Sequence, residues 1–239
     1  MHPIQEKYSA QIEELVRASN RLAEVGYVTS QGGNLSIRVE ENLVLITPTK
    51  VAKGSIVFDD ICAIDMDGNT LYATPGRKPT SEWPFHIRIL KNRPDVKGVV
   101  HAHPPILTGF AIAGGDWMQR PFLPEPVIEV GPMVMVPYAM PGSDKLAENF
   151  DPYVKKSNGF LMENHGALMI SSEGAWRAVE FLEMQENAAK SILVAKILGN
   201  AKTIATKDVD ELENVVKQRE IPMPGLPGEV KLLSDIFIK

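Results

Sequence analysis

Apolar residues recur every three to four positions near the start of the chain, at Ile12, Leu15, Val16, Leu22 and Ala23, and Gly26 stands where a helix C-cap belongs. Residues 5–25 therefore predict an amphipathic helix. The period then shortens. Leu35–Val39, Leu43–Thr47 and Ile56–Ile64 read as strands. Leu71–Ala73 reads as another, between the turn signals Asp67-Gly68-Asn69 and Pro75-Gly76. A helix is expected over Glu82–Lys91, with Pro84 tolerable only in its first turn, where a missing N–H costs nothing.

Asp95–Val100 predicts a strand entering His101, Pro104–Ile112 a helix, and Met133–Val136 a strand. Ser143 is a cap for a short helix over 144–150. Gly159–Met162 and Ala167–Ile170 read as strands flanking a Glu-Asn-His-Gly turn. Ser172 opens the longest expected helix, running to about Leu198, with Val179, Leu182, Ala189, Leu193 and Ile197 on one face. A further helix over 208–217 and an irregular Pro- and Gly-rich run, Ile221–Gly228, follow. Strands come in runs broken by helices at irregular intervals, unlike an even βαβ rhythm. The expectation is an α/β fold with a central, mostly antiparallel sheet and helices on its faces.

Composition narrows the class. With 239 residues, one large domain with a real core is expected. Hydrophobic residues at 44% and charged residues at 23% exclude wholesale disorder. The 25 Lys+Arg against 30 Asp+Glu leave a net charge of -5, and no basic stripe is visible, which argues against a nucleic-acid partner. No apolar run is long enough for a membrane span, and the N-terminus has no signal-peptide pattern. Cys62 is the sole cysteine, which excludes a disulfide framework or thiolate-rich metal site; it reads as a core residue of a reduced, cytoplasmic protein.

The chemistry gathers around histidine. His101 and His103 lie two apart at the end of an expected strand, so both imidazoles share a face. His165, in the Glu163-Asn164-His165-Gly166 turn, is positioned to supply a third nitrogen. Three neutral imidazoles with an open position make a catalytic divalent-metal site. The alternative is two strand-end histidines that only hydrogen-bond, with His165 unrelated. Thr80-Ser81-Glu82 at a helix start, and the loops Gln31-Gly32-Gly33-Asn34 and Thr47-Pro48-Thr49-Lys50, offer donors to an anion; each is also readable as an ordinary cap or turn.

Together these segments resemble the class II aldolase/adducin family: Gly33-Asn34-Leu35-Ser36-Ile37-Arg38, Thr47-Pro48-Thr49, Thr80-Ser81-Glu82, His101-Ala102-His103-Pro104 and Glu163-Asn164-His165-Gly166 appear in the family's order. The resemblance covers about residues 8–198. It implies a three-layer α/β/α fold, a catalytic domain over 1–200, and a 201–239 helix and tail packing on that domain or on a neighbouring subunit. It also implies a homotetramer with active sites between subunits. His101, His103 and His165 would hold Zn2+ or another divalent ion such as Mn2+, Co2+ or Fe2+. Glu82 would ligate the free metal and then act as acid/base, and Asn34, Thr49, Thr80 and Ser81 would hold a substrate phosphate.

The chain also departs from that pattern. Lys50 stands where the aldolases usually carry Gly, either adding a cation to the phosphate position or signalling a different anionic group. The aldolases use tyrosines as proton donors, one from a neighbouring subunit and one near the C-terminus, yet no tyrosine follows Tyr153. Glu125, in Leu123-Pro124-Glu125-Pro126, is the candidate acid reaching a neighbour's site, with Glu129 in reserve; a solvated carboxylate is the alternative. His86, four residues after Glu82, reads as a packing histidine or as a partner behind the site. The function implied first is cleavage of a ketose 1-phosphate of the fuculose-1-phosphate type into dihydroxyacetone phosphate and a small aldehyde. A sugar-phosphate 4-epimerase, dehydratase or decarboxylase, or an adducin-like protein without a site, are the alternatives.

Overall fold

The computed structural model describes residues 2–238. Two helices, α1 (Pro3–Lys7) and α2 (Ser9–Glu24), stand where one was expected, separated at Tyr8. There follow β1 (Asn34–Glu40), β2 (Leu43–Ile46), β3 (Cys62–Ile64), β4 (Thr70–Tyr72), α3 (Trp83–Asn92), β5 (Gly98–Ala102), α4 (Pro105–Ala113) and α5 (Pro124–Glu129). The rest is β6 (Met133–Val136), α6 (Asp144–Glu148), β7 (Gly159–Met162), β8 (Gly166–Ser171), α7 (Ala175–Ile197) and α8 (Thr206–Gln218).

The eight strands form one sheet in the order β4-β3-β2-β1-β5-β8-β7-β6. Every pair is antiparallel except β6 with β7. Period-2 alternation sends successive side chains to opposite faces. Val100 and Ala102 of β5, with Ala167 and Met169 of β8, pack with Ile12, Leu15 and Leu22 of α2, Leu107 of α4 and Val179 and Leu182 of α7. Val99, Leu168 and Ile170 pack on the other face with Phe85, Ile89 and Leu90 of α3, Leu146 of α6 and Phe150. Helices thus cover both faces of a largely antiparallel sheet, the α/β layering expected of the sequence. Each large side chain buried this way contributes about 1.5–3 kcal/mol.

Residues beyond 200 join a third cluster, in which Val209 and Val216 of α8, Leu233 and Phe237 surround Val127 and Ile128 of α5. Arg93, 2% exposed, donates to the Asp95 carboxylate, to the carbonyls of Val154, Ser157 and Gly225, and to Asn158 Oδ1.

Three expectations shift, and one segment the sequence leaves unassigned takes on structure. Only Cys62–Ile64 of the run 56–64 is a strand, because Asp60 Oδ2 accepts from the Val57 N–H and turns 58–60 into a single 3-10 turn. The Pro-rich 121–126 segment ends in a helix, with Pro124 at its first position. The cap of α7 is Gly174 rather than Ser172. Its φ is +149°, a Cβ there would meet Glu14 Oε1 at 2.4 Å, and that carboxylate accepts from the Trp176 N–H at the helix start. Along α7, Val179, Leu182 and Ala189 are buried, whereas Leu193 and Ile197 are 39% and 76% exposed. Cys62 is in the core, where burial pushes its thiol up to about 12.

Candidate metal centre

The middle of the sheet sets the site. Asn34 at the start of β1 is directly opposite His101 on β5, which is opposite Leu168 on β8. His101 takes the sheet face of Val99, where its ring meets Phe85 edge-on at 5.7 Å. His103 follows one residue after β5 ends, and its ring centroid is 4.8 Å from that of His101. The β7–β8 turn brings His165 to 4.7 Å from the His101 centroid, with Asn164 at φ +53°. One ring nitrogen from each of the three histidines lies within 4.8 Å of the others. Gly166 makes this crowding possible, since a Cβ there would meet His103 Cδ2 at 2.6 Å and the Ala102 carbonyl at 2.6 Å.

The imidazoles are Lewis bases. Burial holds His101 well below its ordinary range, and the neighbouring His103 and His165 lower it further. Burial lowers His103 to about 4, with His165 adding to the effect. His165 is also lowered by burial, against the opposing pull of Glu82. His101 Nδ1 donates to the Ala167 carbonyl at 3.0 Å, which fixes the tautomer and leaves Nε2 as a lone pair. That nitrogen faces His103 Nε2 at 3.2 Å.

Glu82 closes the group as the N-cap residue of α3. Its Oε2 is 3.6 Å from His101 Nε2, and its Oε1 is 3.6 Å from His165 Nε2. Because the histidines are neutral these contacts are not ion pairs. Glu82 Oε1 and His165 Nδ1 are buried without a hydrogen-bond partner. Three neutral ring nitrogens within 4.8 Å of one another, with an unpartnered carboxylate oxygen 3.6 Å from one of them, suit a divalent cation.

The expected anion loops are brought side by side. The Thr47 carbonyl accepts from the Thr80 N–H, the Lys78 carbonyl accepts from the Thr49 N–H, and Pro48 bridges Pro79. Thr49 is half-buried, while Lys50 and Ser81 are exposed. Lys50 has φ +59°, the left-handed backbone that favours glycine. The helix start offers fewer donors than its sequence suggested. Glu82 N–H goes to Thr80 Oγ1, Trp83 N–H goes to the Thr80 carbonyl, and Pro84 has none. Asn34 is 2% exposed; it donates from Nδ2 to Glu82 Oε2 at 2.7 Å, and its Oδ1 meets His86 Nε2 at 2.6 Å.

Glu125 is not brought to the histidines of its own chain. It is exposed on the first turn of α5, without a hydrogen bond or ion pair among the described residues. Glu129 pairs with Arg177 at 2.8 Å. Three contributors escaped sequence reasoning. Lys53 is 1% exposed and donates to the carbonyls of Gln31 and Val51, clamping the loop before Asn34; burial lowers it to about 8. Glu186 of α7 accepts from the Ile106 and Leu107 N–H groups, anchoring α4 just after His103. Ser36 hydrogen-bonds His86. Only Lys53-Gly54, a lysine inside an apolar stretch, was a visible signal.

Residues 13–193 match the family described as class II aldolase and adducin N-terminal domain. The chain is 35% identical to the 3-oxo-tetronate 4-phosphate decarboxylase of Haemophilus influenzae, over 75% of this chain and 85% of that protein. It is 33% identical to an L-fuculose phosphate aldolase of Methanococcus maripaludis, over 68% of this chain and 85% of that one. A crystal structure of a putative aldolase/epimerase/decarboxylase from Escherichia coli superposes with a TM-score of 0.78 at 28% identity, covering 85% of this chain and 97% of that one. An L-fuculose 1-phosphate aldolase structure superposes with a TM-score of 0.78 at 26% identity, covering 89% and 97%.

Proposed function

The chain belongs to the class II aldolase and adducin family, and from that premise we propose that it is a divalent-metal-dependent lyase that decarboxylates a phosphorylated 3-oxo sugar acid. The model substrate is 3-oxo-tetronate 4-phosphate, the compound for which the Haemophilus influenzae relative is named. Aldol cleavage stood first on the sequence alone; the decarboxylase relatives move decarboxylation ahead of it. The observation that carries the reading is the unpartnered Glu82 Oε1, 3.6 Å from His165 Nε2 in a cluster of three neutral imidazoles.

The two reactions share an intermediate. Breaking the C1–C2 bond of a 3-oxo acid releases CO2 and leaves the electron pair on C2, delocalised onto the C3 oxygen. Protonation at C2 then gives dihydroxyacetone phosphate. Cleaving a ketose 1-phosphate between C3 and C4 reaches the same enediolate, with an aldehyde leaving instead. His101, His103 and His165 would hold a divalent ion, Zn2+ or a similar one, which when bound would supply positive charge to offset the developing negative charge.

The chain's own residues do the rest. Glu82 carries a proton from solvent to C2 through the carboxylate oxygen that has no internal partner. Thr49, Thr80, Ser81, Lys50 and the second N–H of Asn34 bind the phosphate and orient the acid. Aldol cleavage also needs a group to take the proton of the C4 hydroxyl, whereas departing CO2 needs none. The reading includes a cytoplasmic homotetramer in which Glu125 reaches a neighbour's site. Among the described residues, no helix is long and apolar enough to cross a membrane.

The second reading, a fuculose-1-phosphate-type aldolase, is favoured by the Methanococcus maripaludis relative. Zinc-loaded protein is to be given 3-oxo-tetronate 4-phosphate, generated in place, and fuculose 1-phosphate. CO2 release well above the spontaneous rate, with little aldehyde, is the expected result. Aldehyde formation without accelerated CO2 release would replace decarboxylation by aldol cleavage.

A further inference from the structure

Behind Glu82 runs a buried chain of polar groups in which each hydrogen bond has one consistent direction. A carboxylate only accepts, so Asn34 presents Nδ2 to Glu82 Oε2 at 2.7 Å. Asn34 Oδ1 can then only accept, so His86 Nε2 carries the ring proton across the 2.6 Å contact. The neutral imidazole has no second proton, and its Nδ1 accepts from the Ser36 hydroxyl at 2.7 Å. Ser36 and His86 are fully buried, so no water competes for these links.

We propose that His86 is a positioning residue that acts on Glu82 through Asn34. A primary amide fits its cavity almost equally well in two orientations, and turning it over would set Oδ1 against the Glu82 carboxylate. The His86 N–H holds Asn34 in the orientation that donates to Glu82 Oε2, which keeps Oε1 turned toward His165. His86 lies one helical turn beyond Glu82 on α3, so a single helix carries both the carboxylate and the group that orients it. The inference rests on the reading of Glu82 as the proton carrier.

The test uses His86→Phe, which fills the space without a donor, and His86→Gln, whose amide N–H reaches the place of Nε2. Crystal structures of the metal-free variants should keep the Asn34–Glu82 hydrogen bond in His86→Gln and lose it in His86→Phe. In zinc-loaded protein, His86→Phe should lower kcat by about 10–100-fold, as for other groups that orient metal-site residues. Zinc content should stay at the wild-type level, and His86→Gln should recover most of kcat. If His86→Phe does not fold, Ser36→Ala takes its place, with a fall of about 3–10-fold in kcat expected from the loss of one neutral hydrogen bond. Wild-type kcat in the folded variant, or equal damage from Phe and Gln, would reduce His86 to packing. A wild-type enzyme inactive on every substrate tried would count against the proposed reaction alone, and the metal-free crystal structures would then decide the role of His86.

Discussion

Arg93 donates to the carbonyl of Gly225 at 2.8 Å, tying the residue that ends α3 to the tail that follows α8. The same guanidinium grips Asp95 with two nitrogens and reaches Val154, Ser157 and Asn158. Arg93→Met removes one partner of a buried pair and leaves several acceptors empty, so a loss of about 3–5 kcal/mol is expected. Urea denaturation reads it. A loss under about 1 kcal/mol would mean the tail is held by its apolar cluster alone.

His103→Ala tests the metal set. This imidazole is half-buried, and its loss leaves two ring nitrogens. Zinc content after dialysis should drop steeply in the variant while the far-ultraviolet circular dichroism stays unchanged. Full occupancy would move the site away from these histidines.

Glu82→Gln separates metal holding from proton transfer. The amide keeps the shape and leaves three imidazoles in place, so zinc should remain. It cannot carry a proton to C2, so kcat should fall by about 10²–10⁴-fold. Comparable activity in wild type and variant would assign the proton step to another group.

Glu125 makes no contact with its own chain's histidines, so its proposed role needs a second subunit. Mixed oligomers of Glu125→Ala and His103→Ala subunits contain some sites with both native residues. Under the aldolase reading, in which Glu125 takes the C4 hydroxyl proton, activity on fuculose 1-phosphate should reappear on mixing two inactive parents. Verified mixtures that stay inactive would leave Glu125 as a solvated surface carboxylate.

Acid should weaken the metal-free fold through His86. Burial lowers this imidazole to about 3, against about 6.5 in the unfolded chain. The unfolded chain binds the proton first, so this contribution is complete above about pH 6.5 and is lost as pH falls toward 3, by up to about 1.4 kcal/mol per pH unit. Denaturation curves at pH 7, 6 and 5 should show a steeper decline for wild type than for His86→Gln. Parallel declines would assign the acid sensitivity to other groups.

Much of the centre could be read from the sequence because it rests on simple periods. The two-residue spacing of His101 and His103 on a strand predicts convergence, and the short turn between β7 and β8 brings in His165. What stayed hidden depends on contacts between distant segments. The i, i+4 relation placed His86 near Glu82, but only the pairing of β1 with β5 inserts Asn34 between them. Ile56–Ile64 looks extended by composition, and a single Asp60 side chain redirects it. The apolar stripe of α7 was sound as far as Ala189. Beyond that the buried face passes through Ile192 while Leu193 and Ile197 are exposed, a change of face that the stripe alone cannot show.

Lys50 keeps a left-handed backbone that costs a lysine about 1–2 kcal/mol relative to glycine. Two selections on one library would put a value on that choice. Screening for heat tolerance alone should enrich Lys50→Gly, whereas screening for turnover should retain a cation there. The gap between the two outcomes would measure how far this chain trades robustness for its choice of anion.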